Sequence, residues 1–311
     1  MIPAIQTLFS RLRFKQLQLL VALEDHRSLV KAAEHIAISQ PGATKALQEA
    51  ESTFGAKLFE RTPRGLEPTE LGHCAIRYAR LIQTDLAHMR DEMEGVLQGH
   101  GGRITIGTIM GAVPQVSSII TQLLAETPSV SIEIVEDTSF RLLNLMEQGR
   151  LDLAICRASV SQRPDLYNAL TISDEALAIV AHQAHPLAQQ ERVSLQDLAK
   201  NKWVVYSANM PMRITLEREF LDADIPFPRY LIETTSAFAT LSLLHTDPSF
   251  VALLSGEVAR FCTSFGIIRT LPVSLHNRSE PYQLVTRKDA NITPITRRFM
   301  ALLTEDLGLA P

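Results

Sequence analysis

The residues best placed to do chemistry lie on one face of a predicted helix. From Gln40 onward, Ala43, Leu47, Ala50 and Phe54 form an apolar stripe, and Gln40, Thr44, Lys45 and Gln48 fall on the opposite side. Such a face has the size and the donors that a major groove reads. Glutamine pairs with two edge atoms of adenine, and lysine reaches O6 or N7 of guanine. Upstream, Ala32-Ala33 to Ile38 reads as a shorter helix and a tight turn, with Ser39 as the cap and Pro41 in the first turn of the next helix. This is the pattern of a helix-turn-helix. Downstream, Pro63, Gly65 and Pro68 punctuate a short hairpin carrying Lys57, Arg61 and Arg64. Arg61 and Arg64 suit backbone phosphates or a minor groove. A helical bundle with a solvated face would explain the stripe, but it leaves the basic wing without a use.

A second set of polar residues stands where predicted strands give way to helices. Thr108, Met110 and Gly111 follow one strand and open a helix, where backbone N–H groups make an anion cradle. Thr138 and Ser139 occupy the next junction, and Arg157 follows the third strand. Hydroxyl and amide donors around one guanidinium predict a carboxylate pocket. Each hydroxyl also suits a helix cap, and Arg157 a structural ion pair.

The elements that must position these residues divide the chain into three. Residues 1–68 are expected to form the winged helix-turn-helix domain, with stripes at Phe14, Leu17, Leu20 and Val21 and at Leu29, Ala32, Ala33 and Ile36 completing the helices. Residues 69–98 read as one long linker helix. In it Ala75, Tyr78, Ile82, Leu86, Met89, Met93 and Val96 step by four and three over about three heptads, a seam for a dimer coil or for packing on its own domain. Gly99-His100-Gly101-Gly102 precedes a strand, so it reads as a hinge and not as a phosphate loop. Residues 103–311 alternate strands and helices. They predict open parallel sheets in two lobes, lobe I at about 103–170 and 272–311 and lobe II at about 171–271, with ligand at the strand ends.

Composition excludes several classes. Of 311 residues, 46% are hydrophobic and 21% charged, which rules out disordered, collagenous and disulfide-scaffold chains. No apolar run approaches the roughly 18 residues of a membrane span. Cys74, Cys156 and Cys262 are far apart, and the nine histidines form no HExxH pair, so no metal and no cofactor is expected. Ser255 lacks a Gly-x-Ser-x-Gly setting, no acid, base or nucleophile constellation is visible, and the chain does not read as an enzyme. Cys156 is expected to be buried at a strand end and not to serve as a redox sensor. The opening residues, Met1 to Arg13, carry their basic side chains after a short apolar patch, the reverse of a secretory signal, and a cytoplasmic location is expected. The net charge of −4 hides an asymmetry. Residues 1–69 hold nine Lys and Arg against seven Asp and Glu, and the remainder holds 21 against 27.

The stretch Phe14–Leu71 resembles the LysR-type transcriptional regulators, in Ala32-Ala33, Ser39-Gln40-Pro41, Leu47, Glu51, Gly55, Leu58-Phe59-Glu60-Arg61, Thr69 and Gly72. The rest of the chain is similar to that family in order and length. The resemblance implies an all-α winged helix-turn-helix, a linker helix and a two-lobed α/β effector domain of the periplasmic-binding-protein type. It implies a homotetramer on double-stranded promoter DNA, controlled by a small inducer between the lobes, which the donors around Arg157 predict to be anionic. It places Gln40, Pro41, Thr44, Lys45 and Arg64 against DNA and adds Ser207, Thr235 and Ser236 to the inducer pocket. Thr44 and Lys45 stand where Ser and Arg are usual, and Gly42 replaces a better helix former. Lysine lacks the fork of arginine, so the bases read differ from the family norm. Gly111 leaves space where other members offer a hydroxyl. A two-lobed solute-binding module with a helical appendage is the rival reading, and it has no role for the wing.

Overall fold

The computed structural model describes residues 3–98 and 102–308; Gly99 to Gly101 of the expected hinge, and Met1 and Ile2, lie outside them. The chain opens on a helix that the stripes did not predict, α1 (Ile5–Arg11), followed by α2 (Phe14–His26), α3 (Leu29–His35) and α4 (Gln40–Phe54). Ser28 Oγ accepts the Lys31 N–H at 3.5 Å, and Ser39 Oγ accepts the Gly42 N–H at 3.2 Å, so each hydroxyl satisfies a donor that its helix leaves open. Between the two helices Ala37 takes the left-handed φ of 54° that turns the chain, and Gly55 at φ 68° closes α4. The core of this unit is Leu19, Leu20, Leu23, Leu58 and Ile76 around Ala32, Ala33 and Ala43. Alanine at those three positions lets the helices approach closely. Each buried leucine contributes about 1.5–3 kcal/mol.

The wing is a two-stranded antiparallel hairpin, β1 (Phe59–Thr62) and β2 (Gly65–Pro68), with Thr62 opposite Gly65. Glu51 fastens it to α4. This carboxylate is buried, and its Oε1 accepts the N–H groups of Leu58 at 3.0 Å and Phe59 at 3.4 Å, while Lys57 Nζ donates to Oε2 at 2.6 Å. The hairpin turns at Gly65, φ 115°, where a side chain would run into the carbonyl of Arg27. That same carbonyl accepts the Leu66 N–H at 3.1 Å. The linker helix α5 (Glu70–Gln98) then begins. Of the expected seam, Tyr78, Ile82, Leu86, Met89 and Met93 are all exposed, and Tyr78 and Ile82 border an apolar groove shared with Ile5, Phe9 and Phe14 of their own unit.

The α/β half continues as β3 (Arg103–Thr108), α6 (Val113–Glu126), β4 (Ser131–Glu136), α7 (Ser139–Glu147) and β5 (Leu153–Cys156). It proceeds through β6 (Tyr167–Glu175), β7 (Leu177–Ala181), α8 (Leu195–Leu198), β8 (Lys202–Val205), α9 (Pro211–Asp222), β9 (Leu231–Glu233) and α10 (Ala237–Thr246). It ends with β10 (Phe250–Ser255), α11 (Gly256–Ser264), β11 (Arg269–Thr270), β12 (Ser279–Arg287) and α12 (Pro294–Asp306). Two five-stranded sheets result, ordered β4-β3-β5-β12-β6 and β11-β7-β10-β8-β9. The expected parallel sheets are half right. The units β3-β4-β5 and β8-β9-β10 are parallel, but β12 runs antiparallel to β5 and β6, and β7 runs antiparallel to β10 and β11. Both sheets are therefore mixed. The chain crosses between them at Ala176 and again between β11 and β12, and each sheet receives a strand returning from the other. The core on one face of the second sheet packs around Trp203 of β8, whose Nε1 donates to Leu198 O at 2.9 Å while Phe220 meets the indole edge-on. No helix among the described residues is long and apolar enough to cross a membrane.

Candidate nucleic-acid interface and ligand cleft

On α4 the outward face keeps the geometry that its spacing predicted. Ser39, Gln40, Pro41, Lys45 and Gln48 are exposed, Thr44 is half-buried, and Ala43 and Ala50 on the opposite side are buried. The Thr44 hydroxyl donates to Gln40 O at 3.1 Å, which leaves its oxygen as an acceptor at the surface. Lys45 Nζ stands 3.9 Å from Glu49 with its side chain 79% exposed, an ion pair too loose to hold it. Arg61 and Arg64 are exposed on the hairpin, Arg61 within β1 and Arg64 at the turn. Serine, glutamine, lysine and two arginines are thus presented by two elements that Glu51 locks together.

In the α/β half, the carboxyl ends of β3, β4 and β5 meet those of β8 and β9 around a cleft of about 710 Å³. Seven of the nine expected ligand residues line it: Met110, Gly111, Thr138, Ser139, Arg157, Ser207 and Thr235. Thr108 does not. It is completely buried, and its hydroxyl donates to Ile109 O at 3.1 Å. Ser236 does not line it either; its Oγ caps α10 by accepting the Ala239 N–H at 3.2 Å. Ser139 is largely committed, since its Oγ accepts the Arg157 N–H at 3.1 Å.

Arg157 lies in the wall, but its charge is taken. The guanidinium donates to the Glu175 carboxylate, to Glu280 O at 3.0 Å and to Ser279 Oγ at 3.4 Å, and the two charged side chains are 5% and 4% exposed. Burial pushes the Glu175 carboxyl above the ordinary carboxylate range, against the pull of Arg157. The space beside Gly111 belongs to this pair, because a Cβ there would collide with the Glu175 carboxylate. Glu136, Asp137, Glu175, Tyr206 and Asn209 also line the wall and were not singled out from the sequence. Glu136 and Asp137 stand just before a chosen junction, Thr138, and were within reach of the same argument. Glu175 ends a strand that the alternation did not reveal. Partial burial raises the carboxyl of Glu136, which is still exposed, and Glu136 has no ion-pair partner among the described residues. Cys156, one residue before Arg157, is fully buried, and burial pushes its thiol up to about 12, as an inert core cysteine requires. No group of three His, Cys, Asp or Glu among the described residues could hold a metal ion.

A winged helix-turn-helix carried with two mixed α/β sheets around a shared cleft defines a ligand-responsive DNA-binding regulator. Residues 14–73 match the family model of bacterial regulatory helix-turn-helix proteins of the lysR family, and residues 97–308 match the LysR substrate binding domain. The chain is 33% identical over 303 residues to the HTH-type transcriptional regulator GbpR of Azospirillum brasilense, across 97% of this chain and 88% of that protein. It is 28% identical over 308 residues to the regulator PcaQ of Agrobacterium fabrum, across 96% of each. The crystal structure of CbnR, a LysR family transcriptional regulator, shares the fold with a TM-score of 0.67 at 20% identity, covering 95% of this chain and 99% of that one. The chain belongs to the LysR family of transcriptional regulators. It is a DNA-binding regulator with an effector-binding domain and not an enzyme.

Proposed function

We propose that α4 enters the major groove and reads bases through Gln40, Thr44, Lys45 and Gln48. Ser39 and Pro41 bring its N-terminus to the backbone, and Arg61 and Arg64 hold phosphates or a minor groove. The observation that carries this reading is the exposure of Gln40, Lys45 and Gln48 on one face of a helix whose other face is core. In a gel retardation assay with the DNA upstream of its own gene, Lys45→Ala should weaken specific binding by about 1–3 kcal/mol and binding to random DNA little. Equal losses on both would make Lys45 a phosphate contact, and no retarded band with the wild-type protein would sink the DNA reading.

The expected domains follow: residues 1–68 bind DNA, 69–98 link and dimerise, and 103–311 hold the effector. The exposed seam Tyr78 to Met93 supports a dimer through α5, two dimers making a tetramer in the cytoplasm. Sedimentation velocity should show a tetramer, with Met89→Glu and Met93→Glu together reducing it; an unchanged distribution would remove the seam from the assembly. A small molecule in the cleft controls the regulator by binding one lobe arrangement more tightly than the other, since only that difference shifts the population. The carboxylate expected from Arg157 loses support, because Glu175 already neutralises that guanidinium.

A further inference from the structure

We propose that the cleft selects an uncharged, hydroxyl-rich small molecule, because the chain supplies Arg157 with a carboxylate of its own, Glu175. The proposal rests on the reading of the cleft as the effector site. The charged groups of the wall are Glu136, Asp137, Arg141, Arg157 and Glu175. Both arginines are paired, Arg157 with Glu175 and Arg141 Nε with Asp137 Oδ2 at 3.2 Å. Glu136 is left over, so the wall carries one surplus negative charge, and its one solvent-open guanidinium, that of Arg141, is 69% exposed and already beside Asp137. To use Arg157, a ligand carboxylate would have to displace Glu175 from its buried ion pair, and it would then face Glu136; at Arg141 it would face Asp137. Gly111 keeps that seat open for Glu175, as its missing side chain is what lets the carboxylate in.

The same wall disfavours an amine. Two helices begin at it, α7 at Ser139 and α9 at Pro211, and their N-termini present open N–H groups and the positive end of the helix dipole. Carboxylates accept only, so Glu136 and Asp137 call for donors; the helix starts call for acceptors; and Thr138, Ser207, Thr235 and Asn209 both donate and accept. An alcohol group meets all three demands, whereas a carboxylate has nothing to give Glu136 and Asp137 and an ammonium nothing to give the helix starts. Phe140, 59% exposed in the wall, with Met110 and Met210, offers apolar surface to the C–H face of a ring. The cavity volume of about 710 Å³ is in the range of small-molecule sites.

The test is a thermal-shift and calorimetric titration of the full-length protein with matched series on one skeleton: neutral aldohexoses, aldopentoses and inositols, the corresponding uronates, and the corresponding amino sugars. At least one neutral member should bind, with its uronate and amino analogues at least about tenfold weaker. In Glu175→Gln the uronate should gain, because Arg157 is released to it. Binding by uronates or simple carboxylates without a neutral member overturns the ligand class and leaves the cleft as the site. Silence across all three series, in protein that retards DNA, overturns it as well. A neutral ligand whose binding survives Thr138→Trp, which fills the wall, places the ligand elsewhere and overturns the cleft reading itself.

Discussion

Glu175→Ala should cost the protein about 3–5 kcal/mol of stability, as much as truncating a large core side chain of the α/β half. The reason is asymmetric. Arg157 would remain buried at 5% exposure with its charge uncompensated, and neither Glu280 O nor Ser279 Oγ can neutralise it. A buried pair is worth far less as a pair than its breaking costs, because most of its attraction only offsets desolvation. The double variant Arg157→Met, Glu175→Leu should therefore recover most of the loss. Denaturant melts of the single and double variants, read by the fluorescence of Trp203 in the adjoining sheet, measure both. If Glu175→Ala melted within about 0.5 kcal/mol of the wild type, water would be reaching Arg157 and the pair would not be a buried one.

The second large effect belongs to Glu51. Glu51→Ala removes the acceptor for the N–H groups of Leu58 and Phe59 and the partner of Lys57, all within the short connection between α4 and the wing. Hydrogen bonds to a charged group contribute about 1.5–3 kcal/mol each, and the two N–H groups are left buried without a partner, so a loss of about 2–4 kcal/mol in the melting of the DNA-binding unit is expected. DNA affinity should fall further than Lys45→Ala lowers it, since Arg61 and Arg64 lose their fixed position relative to α4. Glu51→Gln keeps one acceptor oxygen and should restore part of both. Full affinity in Glu51→Ala would show that the wing is placed by Gly65 and Arg27 alone.

The DNA-binding unit was legible because its determinants are local. Ser28, Ser39, Pro41 and Gly55 sit at the helix ends they mark, and the stripe of α4 separates its two faces within fifteen residues. Glu51 was visible only as part of a family resemblance; its work is done seven and eight residues away, across a turn that no periodicity describes. The first β-α-β-α-β run was equally plain. Strand direction was not, because alternation of apolar residues is the same whichever way a strand points, and so β7 and β12 were expected parallel. The cleft suffered from the same gap. Arg157 was found by its place after a strand, but its partner lies at the end of β6, a strand that the alternation did not reveal, 18 residues on. Gly111 was read as room for a ligand, and it is room for a side chain of the protein.

The position of β12 has a consequence for how the molecule is made. This strand is bracketed by β5 on one side and β6 on the other, yet it is synthesised after the whole of the second sheet. On the ribosome, where a chain grows at about 5–20 residues per second, the sheet begun first waits for β12 with two strand edges unpaired. The second sheet, whose strands run from Leu177 to Thr270, is complete before then. Loss of the chain from Ser279 onward would thus spare the lobe nearest the break in sequence and undo the one that starts at Arg103.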